Sequence, residues 1–161
     1  MMRSVRGFTL IELMVTIGVM AIIAVIAVPS FNSMLLKQNL NASTRSLVIT
    51  LEKARSKAAL ERRLVTVALN SSNSSAADTD STLNWQPSGK SALISTTTSI
   101  TFRADGMVQD PTTTAAPLSA DMSLVLCDQA QAQAQYSKRI ILSRMGVVQQ
   151  GDLVTGNCNA S

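Results

Sequence analysis

The chain has 161 residues, a formal charge of +4, 46% apolar residues, 3% aromatic residues and no histidine. That size allows one domain plus an appendage. The absence of histidine, of a metal-ligand cluster and of a glycine-rich phosphate loop leaves no catalytic constellation, and neither a cofactor nor a metal is expected.

The first predicted element is apolar. From Phe8 to Val28 the only ionisable side chain is Glu12. As a helix this stretch is about 31 Å long, close to the hydrocarbon thickness of a bilayer. A domain this small could not easily enclose it as a core helix, the competing reading. Arg3 and Arg6 precede the span, and the next cation is Lys37. The positive-inside rule then places the amino terminus in the cytoplasm and the rest of the chain outside it. The segment makes a poor secretory signal, being too long and lacking a clean small-x-small cleavage site.

Pro29 ends the apolar run and predicts a kink. The helical pattern then resumes. Leu36, Leu40, Ser43, Leu47, Leu51, Ala54 and Ala58 fall three and four apart and form one stripe. Lys37, Gln38, Asn41, Arg45, Glu52, Lys53, Lys57 and Glu61 lie on the other face. One helix from about Phe8 to about Arg63 is expected, apolar all round in its first half and amphipathic in its second.

After Arg63 the character changes. LVTVAL (64–69), SALIS (91–95), SITFR (99–103), MSLVLC (122–127) and RIILS (139–143) read as short strands, with GVV (146–148) weaker. NSSNSSAADTD (70–80) reads as a polar loop, while ADG (104–106) and PTTTAAP (111–117) carry turn residues. DQAQAQAQYS (128–137) reads as a loop or short irregular segment, although alanine and glutamine also suit a helix. The expected fold is α+β, with the long amino-terminal helix packed on a mainly antiparallel β-sheet domain.

In an exported domain, Cys127 and Cys158 read as one disulfide. Closing that loop stabilises by roughly 3–4 kcal/mol in the chain-entropy model. Two free buried thiols are the alternative.

The stretch RGFTLIEL resembles the type IV prepilin signature: a short basic leader, a glycine, a phenylalanine, and a glutamate at the fifth position after the cut. Pro29 matches the proline that the family carries further along the same helix. The resemblance implies four segments: a leader cleaved after residue 7, a membrane or filament-core helix half over 8–28, an amphipathic half over 29–63, and a periplasmic β-rich domain over 64–161. It implies cleavage by a prepilin peptidase between Gly7 and Phe8, then methylation of the new Phe8 amine. Loss of Arg3 and Arg6 takes the formal charge from +4 to +2. Glu12 either reaches the membrane interface by itself or, as the family implies, pairs with the Phe8 amine of a neighbouring subunit. In low dielectric such a pair is far stronger than in water, and the unpaired charge is penalised.

ITFRADG (100–106) followed by RIILSRMG (139–146) is similar to the minor pilin family that includes FimU, FimT and the pseudopilin GspH. This resemblance implies a structural subunit that primes or caps a pilus and serves pilus biogenesis and twitching motility. Its partners would be other minor and major pilins and the inner membrane, crossed once. The alternatives are a pseudopilin of type II secretion and a DNA-binding minor pilin of natural transformation. For the last, Lys138, Arg139 and Arg144 are the candidate contacts, but the glycine-arginine-x-arginine pattern is missing. Residues 64–161 hold five cations, Lys90, Arg103, Lys138, Arg139 and Arg144, against seven aspartates, Asp78, Asp80, Asp105, Asp110, Asp121, Asp128 and Asp152. This balance argues against nucleic acid as a partner.

Two further features have a plain and a sharper reading. KARSKAALERR (53–63) is either a solvated helix face or an electrostatic contact with another subunit. Gly18, Ala21, Ala24 and Ala27 either permit close helix approach or are ordinary membrane-helix composition.

Overall fold

The computed structural model describes residues 8–69, 77–113, 116–156 and 158, with the backbone alone at Val28 and Pro29. The leader and most of the predicted polar loop lie outside these residues.

Among the described residues one helix, α1 (Leu10–Glu61), is followed by seven strands: β1 (Val65–Ala68), β2 (Thr82–Asn84), β3 (Ala92–Ile94), β4 (Ser99–Phe102), β5 (Met122–Cys127), β6 (Tyr136–Leu142) and β7 (Val148–Thr155). The expected α+β class is the observed one. The helix continues through position 29. Two units meet within it, between Leu35 and Leu36.

In the second unit the helix presents the predicted stripe. Leu40, Ser43, Leu47, Leu51, Ala54 and Ala58 are fully buried, and Leu36 is half-buried. Opposite lie two sheets, one of order β2-β1-β4 and one of order β3-β5-β6-β7. All pairings are antiparallel except β1 with β2, which is parallel. Strand alternation sorts the side chains. Val65 and Val67 of β1 face inward beside Phe102 and Ile100 of β4, while Thr66 and Thr101 between them share a hydroxyl hydrogen bond of 3.0 Å.

The run MSLVLC is buried from Leu124 to Cys127 because both of its faces are covered. Leu124 and Leu126 join the helix-facing core. Val125 and Cys127 form a second cluster with Cys158, packed by Ile94 and Ala134.

Three assignments shift. The segment 128–137 is not loop throughout: Gln131–Gln133 make a 3-10 turn, and Tyr136 and Ser137 already belong to β6. Of the weak candidate 146–148 only Val148 is in a strand, as the first residue of the eight-residue β7, whose register against β6 slips between Lys138 and Ile140. β2, three residues long, was not anticipated.

The helix ends in a Schellman arrangement. Arg62 adopts φ 52°, and the Arg63 N–H donates to the Ala58 carbonyl at 3.2 Å.

Candidate functional site

In the first unit, Thr9 caps α1. Its Oγ1 accepts the Glu12 N–H at 3.3 Å, and its carbonyl accepts the Leu13 N–H at 3.2 Å. Threonine followed three residues later by glutamate is the capping-box spacing, a signal present in FTLIE. Glu12 therefore sits in the first turn, where the helix dipole favours a negative charge. Thr9 was not singled out from the sequence, although its spacing to Glu12 carried the signal.

Every residue from Phe8 to Ala27 is exposed, with Phe8 at 82%. A Cβ added at Gly18 would meet nothing within 4 Å. An all-round apolar helix without a covering surface requires lipid or other helices around it. Among the described residues this is the one helix long and apolar enough to cross a membrane. Gly7 lies outside the described residues.

At the beginning of the second unit the helix is tied to the sheet domain by polar groups. Lys37 Nζ lies 4.4 Å from the centroid of the Tyr136 ring. Ser43, placed in the apolar stripe by its spacing, is buried and doubly bonded. Its Oγ donates to the Asn39 carbonyl and accepts the Ser88 N–H, both at 2.8 Å.

Three of the five cations of 53–63 are engaged within the chain. Lys53 pairs with Asp78 at 3.4 Å, Arg63 pairs with Glu61 and donates to the Asp80 carbonyl, and Arg55 Nε donates to the Gly106 carbonyl at 3.2 Å. Lys57 and Arg62 have no such partner among the described residues. These contacts leave two cations of the run for the sharper reading.

Arg55 marks the junction that unites the two segments on which the minor-pilin resemblance rests. ADG and SRMG form two turns, with Gly106 at φ 76° and Gly146 at φ 77°. Each glycine N–H donates back three residues, Gly106 to Arg103 and Gly146 to Ser143. A Cβ on Gly146 would lie 2.4 Å from the Gly106 carbonyl oxygen and 2.9 Å from Arg55 Nε. Only glycine fits this approach.

Lys138, Arg139 and Arg144 are not gathered into one patch. Lys138 and Arg139 are neighbours near the start of β6, while Arg144 lies beyond its far end in the turn before β7. Lys138 pairs with Leu126 and Arg139 with Val125, so the two side chains belong to opposite sheet faces.

Cys127 and Cys158 are disulfide-bonded, with Cα atoms 6.0 Å apart, and both are buried. Next to Cys127, the buried Asp128 accepts the Gln135 N–H at 3.0 Å through Oδ1. Its Oδ2, and the Oγ of Ser91 one residue before β3, lack a protein partner among the described residues.

Residues 2–28 match the prokaryotic N-terminal methylation motif. An apolar helix opened by that motif and continued into a disulfide-closed α+β domain defines the pilin-like class. Residues 43–146, well over half of the chain, match the type II transport protein GspH, and the chain belongs to that family. Two crystal structures of the type IV minor pilin FimU from Pseudomonas aeruginosa strain PAO1 are similar in fold. One has 15% identity and a TM-score of 0.49, covering 72% of this chain and 90% of that one. The other has 18% identity and a TM-score of 0.46, covering 70% and 93%. No curated protein sequence matches the chain.

Proposed function

We propose that the protein is a non-enzymatic subunit that enters a type IV pilus at low copy, in a complex that primes or caps assembly. The observation that carries this reading is the apolar helix, exposed on all sides and opened by the methylation motif with Glu12 in its first turn. A prepilin peptidase cuts between Gly7 and Phe8 and methylates the Phe8 amine. The helix anchors the subunit in the inner membrane with the β-rich domain in the periplasm, as the cations Arg3 and Arg6 favour. On assembly, Glu12 pairs with the Phe8 amine of a neighbouring pilin. Pro29 and the small residues from Gly18 to Ala27 shape the packing of that helix.

The test combines processing with incorporation. The mature protein is expected to begin at Phe8 by mass spectrometry. Glu12→Ala should be cleaved normally yet be depleted from sheared filaments. Normal incorporation of that variant would sink the pairing.

The match to type II transport protein GspH favours a second reading, a pseudopilin of type II secretion. A deletion strain separates the two. Loss of surface pili and twitching supports the pilus, whereas loss of protein secretion with intact pili moves the subunit to the secretion machine. The separation of Lys138 and Arg139 from Arg144 among the described residues does not favour the DNA-binding reading.

A further inference from the structure

Glu12 and Lys37 bracket an uncharged run, Leu13 to Leu36. As a helix the chain from one to the other is about 38 Å long. The hydrocarbon core of a bilayer is about 30 Å thick. With Glu12 at one interface, the chain therefore brings Lys37 into the headgroup layer of the other. This depth is set by contour length, and it rests on the membrane anchoring proposed above. Phe31 and Met34, 61% and 55% exposed, keep the surface apolar almost to Lys37.

Two segments of the sheet domain are fixed to the same level of the helix. The Tyr136 ring holds Lys37 Nζ 4.4 Å from its centroid. The Ser88 N–H donates to Ser43 Oγ, and an added Cβ at Gly89 would lie 2.4 Å from Asn39 Nδ2. Lys90 follows on this seated turn and is exposed. Neither Lys37 nor Lys90 has an ion pair among the described residues. The carboxylate nearest Tyr136 belongs to Asp128, which is fully buried and accepts the Gln135 N–H. Asp152 lies about 10 Å further along β7, between Gly151, packed on Arg139, and Leu153, the strand partner of Lys138. Among the described residues this end of the domain thus presents two exposed or half-exposed ammonium groups and no exposed carboxylate beside them.

We infer that the end of the sheet domain bearing Lys37, Lys90 and Tyr136 rests on the membrane surface and binds the headgroups of anionic phospholipids. Position selects this partner, because the bilayer that holds the uncharged run ends at the depth of Lys37. The ring covers one side of the Lys37 ammonium and leaves its other N–H groups for a phosphate. Tyrosine is enriched at this level of a membrane, and lysines there are drawn to anionic lipid. The seat acts on the subunit before assembly, while its helix is still in lipid.

The test places the full chain in nanodiscs of phosphatidylcholine, alone or with one quarter phosphatidylglycerol. Lysines are acetylated with a water-soluble ester and followed by mass spectrometry. Lys37 and Lys90 should react at least threefold more slowly when phosphatidylglycerol is present, with Lys57 unchanged. Lys90→Gln, at an exposed position, should give back at least half of the lost Lys37 rate, and thermal melting checks its fold. Equal rates in the two bilayers, slowing that includes Lys57, or Lys37 protection indifferent to Lys90→Gln overturns the inference. The same slowing by free inorganic phosphate in phosphatidylcholine nanodiscs also overturns it, in favour of a phosphate site. Flotation separates the two levels of the argument. A chain that does not float with phosphatidylcholine vesicles loses the anchoring itself, whereas one that floats without protection of Lys37 and Lys90 loses only this inference.

Discussion

Arg55 on the helix and Gly106 in the turn after β4 are 51 positions apart and joined by one hydrogen bond of 3.2 Å. Gly146 closes on the same pair from the other sheet. A single guanidinium therefore bonds the helix to the turn of one sheet and lies close against the turn of the other. The two glycines share a left-handed conformation but differ in crowding. A Cβ at Gly106 meets Arg55 at an ordinary 3.5 Å, whereas one at Gly146 meets backbone at 2.4 Å. Gly106→Ala should cost about 1–2 kcal/mol, the backbone term. Gly146→Ala should cost clearly more, because backbone must move as well. Denaturant melts of the two variants check the order, and equal losses would contradict the packing described.

Arg62 occupies the left-handed position at the helix C-terminus that glycine normally fills. Its exposed side chain makes no hydrogen bond or ion pair among the described residues that glycine would forfeit. Arg62→Gly should therefore stabilise the fold by about 0.5–1 kcal/mol, the relief of the Cβ penalty offset in part by unfolded-state entropy. A raised melting temperature is the expected reading.

Thr9 supplies the one side-chain acceptor for the Glu12 N–H. Thr9→Val should fray the first turn, at about 1 kcal/mol for a lost cap. Amide exchange at Leu10–Glu12 in micelles should accelerate, with exchange in the second unit unchanged. Thr9→Ser should preserve protection.

Cys127 and Cys158 close a loop with a sequence separation of 31. Replacing both by serine should cost roughly 3–4 kcal/mol in the chain-entropy model. Reduction of the wild-type protein should lower its melting temperature by a similar margin, while the doubly substituted variant should not respond to reductant.

Asp110 accepts the Thr112 hydroxyl at 2.5 Å and the Thr112 N–H at 2.8 Å. The hydroxyl first, then the backbone donors, hold its carboxyl below the ordinary carboxylate range. A depressed value contributes stability above the unfolded-state pKa, and that stability is lost as the pH falls through the folded value. Thr112→Val should raise the Asp110 midpoint toward the ordinary aspartate value, followed by carboxyl NMR titration.

Residues whose surroundings are local or periodic were legible in the sequence. The stripe from Leu40 to Ala58 follows from helical spacing, and β5 carries its own run of apolar residues. β7 was visible only at its first residue, Val148, because Gln149, Gln150, Gly151 and Asp152 are poor strand formers. Pairing with β6 overrides the preference of the two glutamines, while Gly151 and Asp152 fall at the irregularity in the register. β2 was hidden for a related reason: three residues held parallel to β1 carry no pattern of their own. The Arg55 contact was beyond reach, since nothing in KARSKAALERR distinguishes Arg55 from the cations around it. Thr9 and Glu12 stand at a spacing that local capping chemistry explains.

The disulfide has a consequence for the order of events in folding. Val125 and Cys127 lie on the sheet face turned away from the helix, and Cys158 helps to cover them. The helix-facing core can assemble around Leu47, Phe102 and Leu126 while both sulfurs are still reduced. Sealing of the opposite face waits for β7 to be synthesised and for the two thiols to be oxidised. A chain held in reducing conditions would therefore lack the covalent clasp on one side of its larger sheet, and that face would rest on the packing of Ile94 and Ala134 alone.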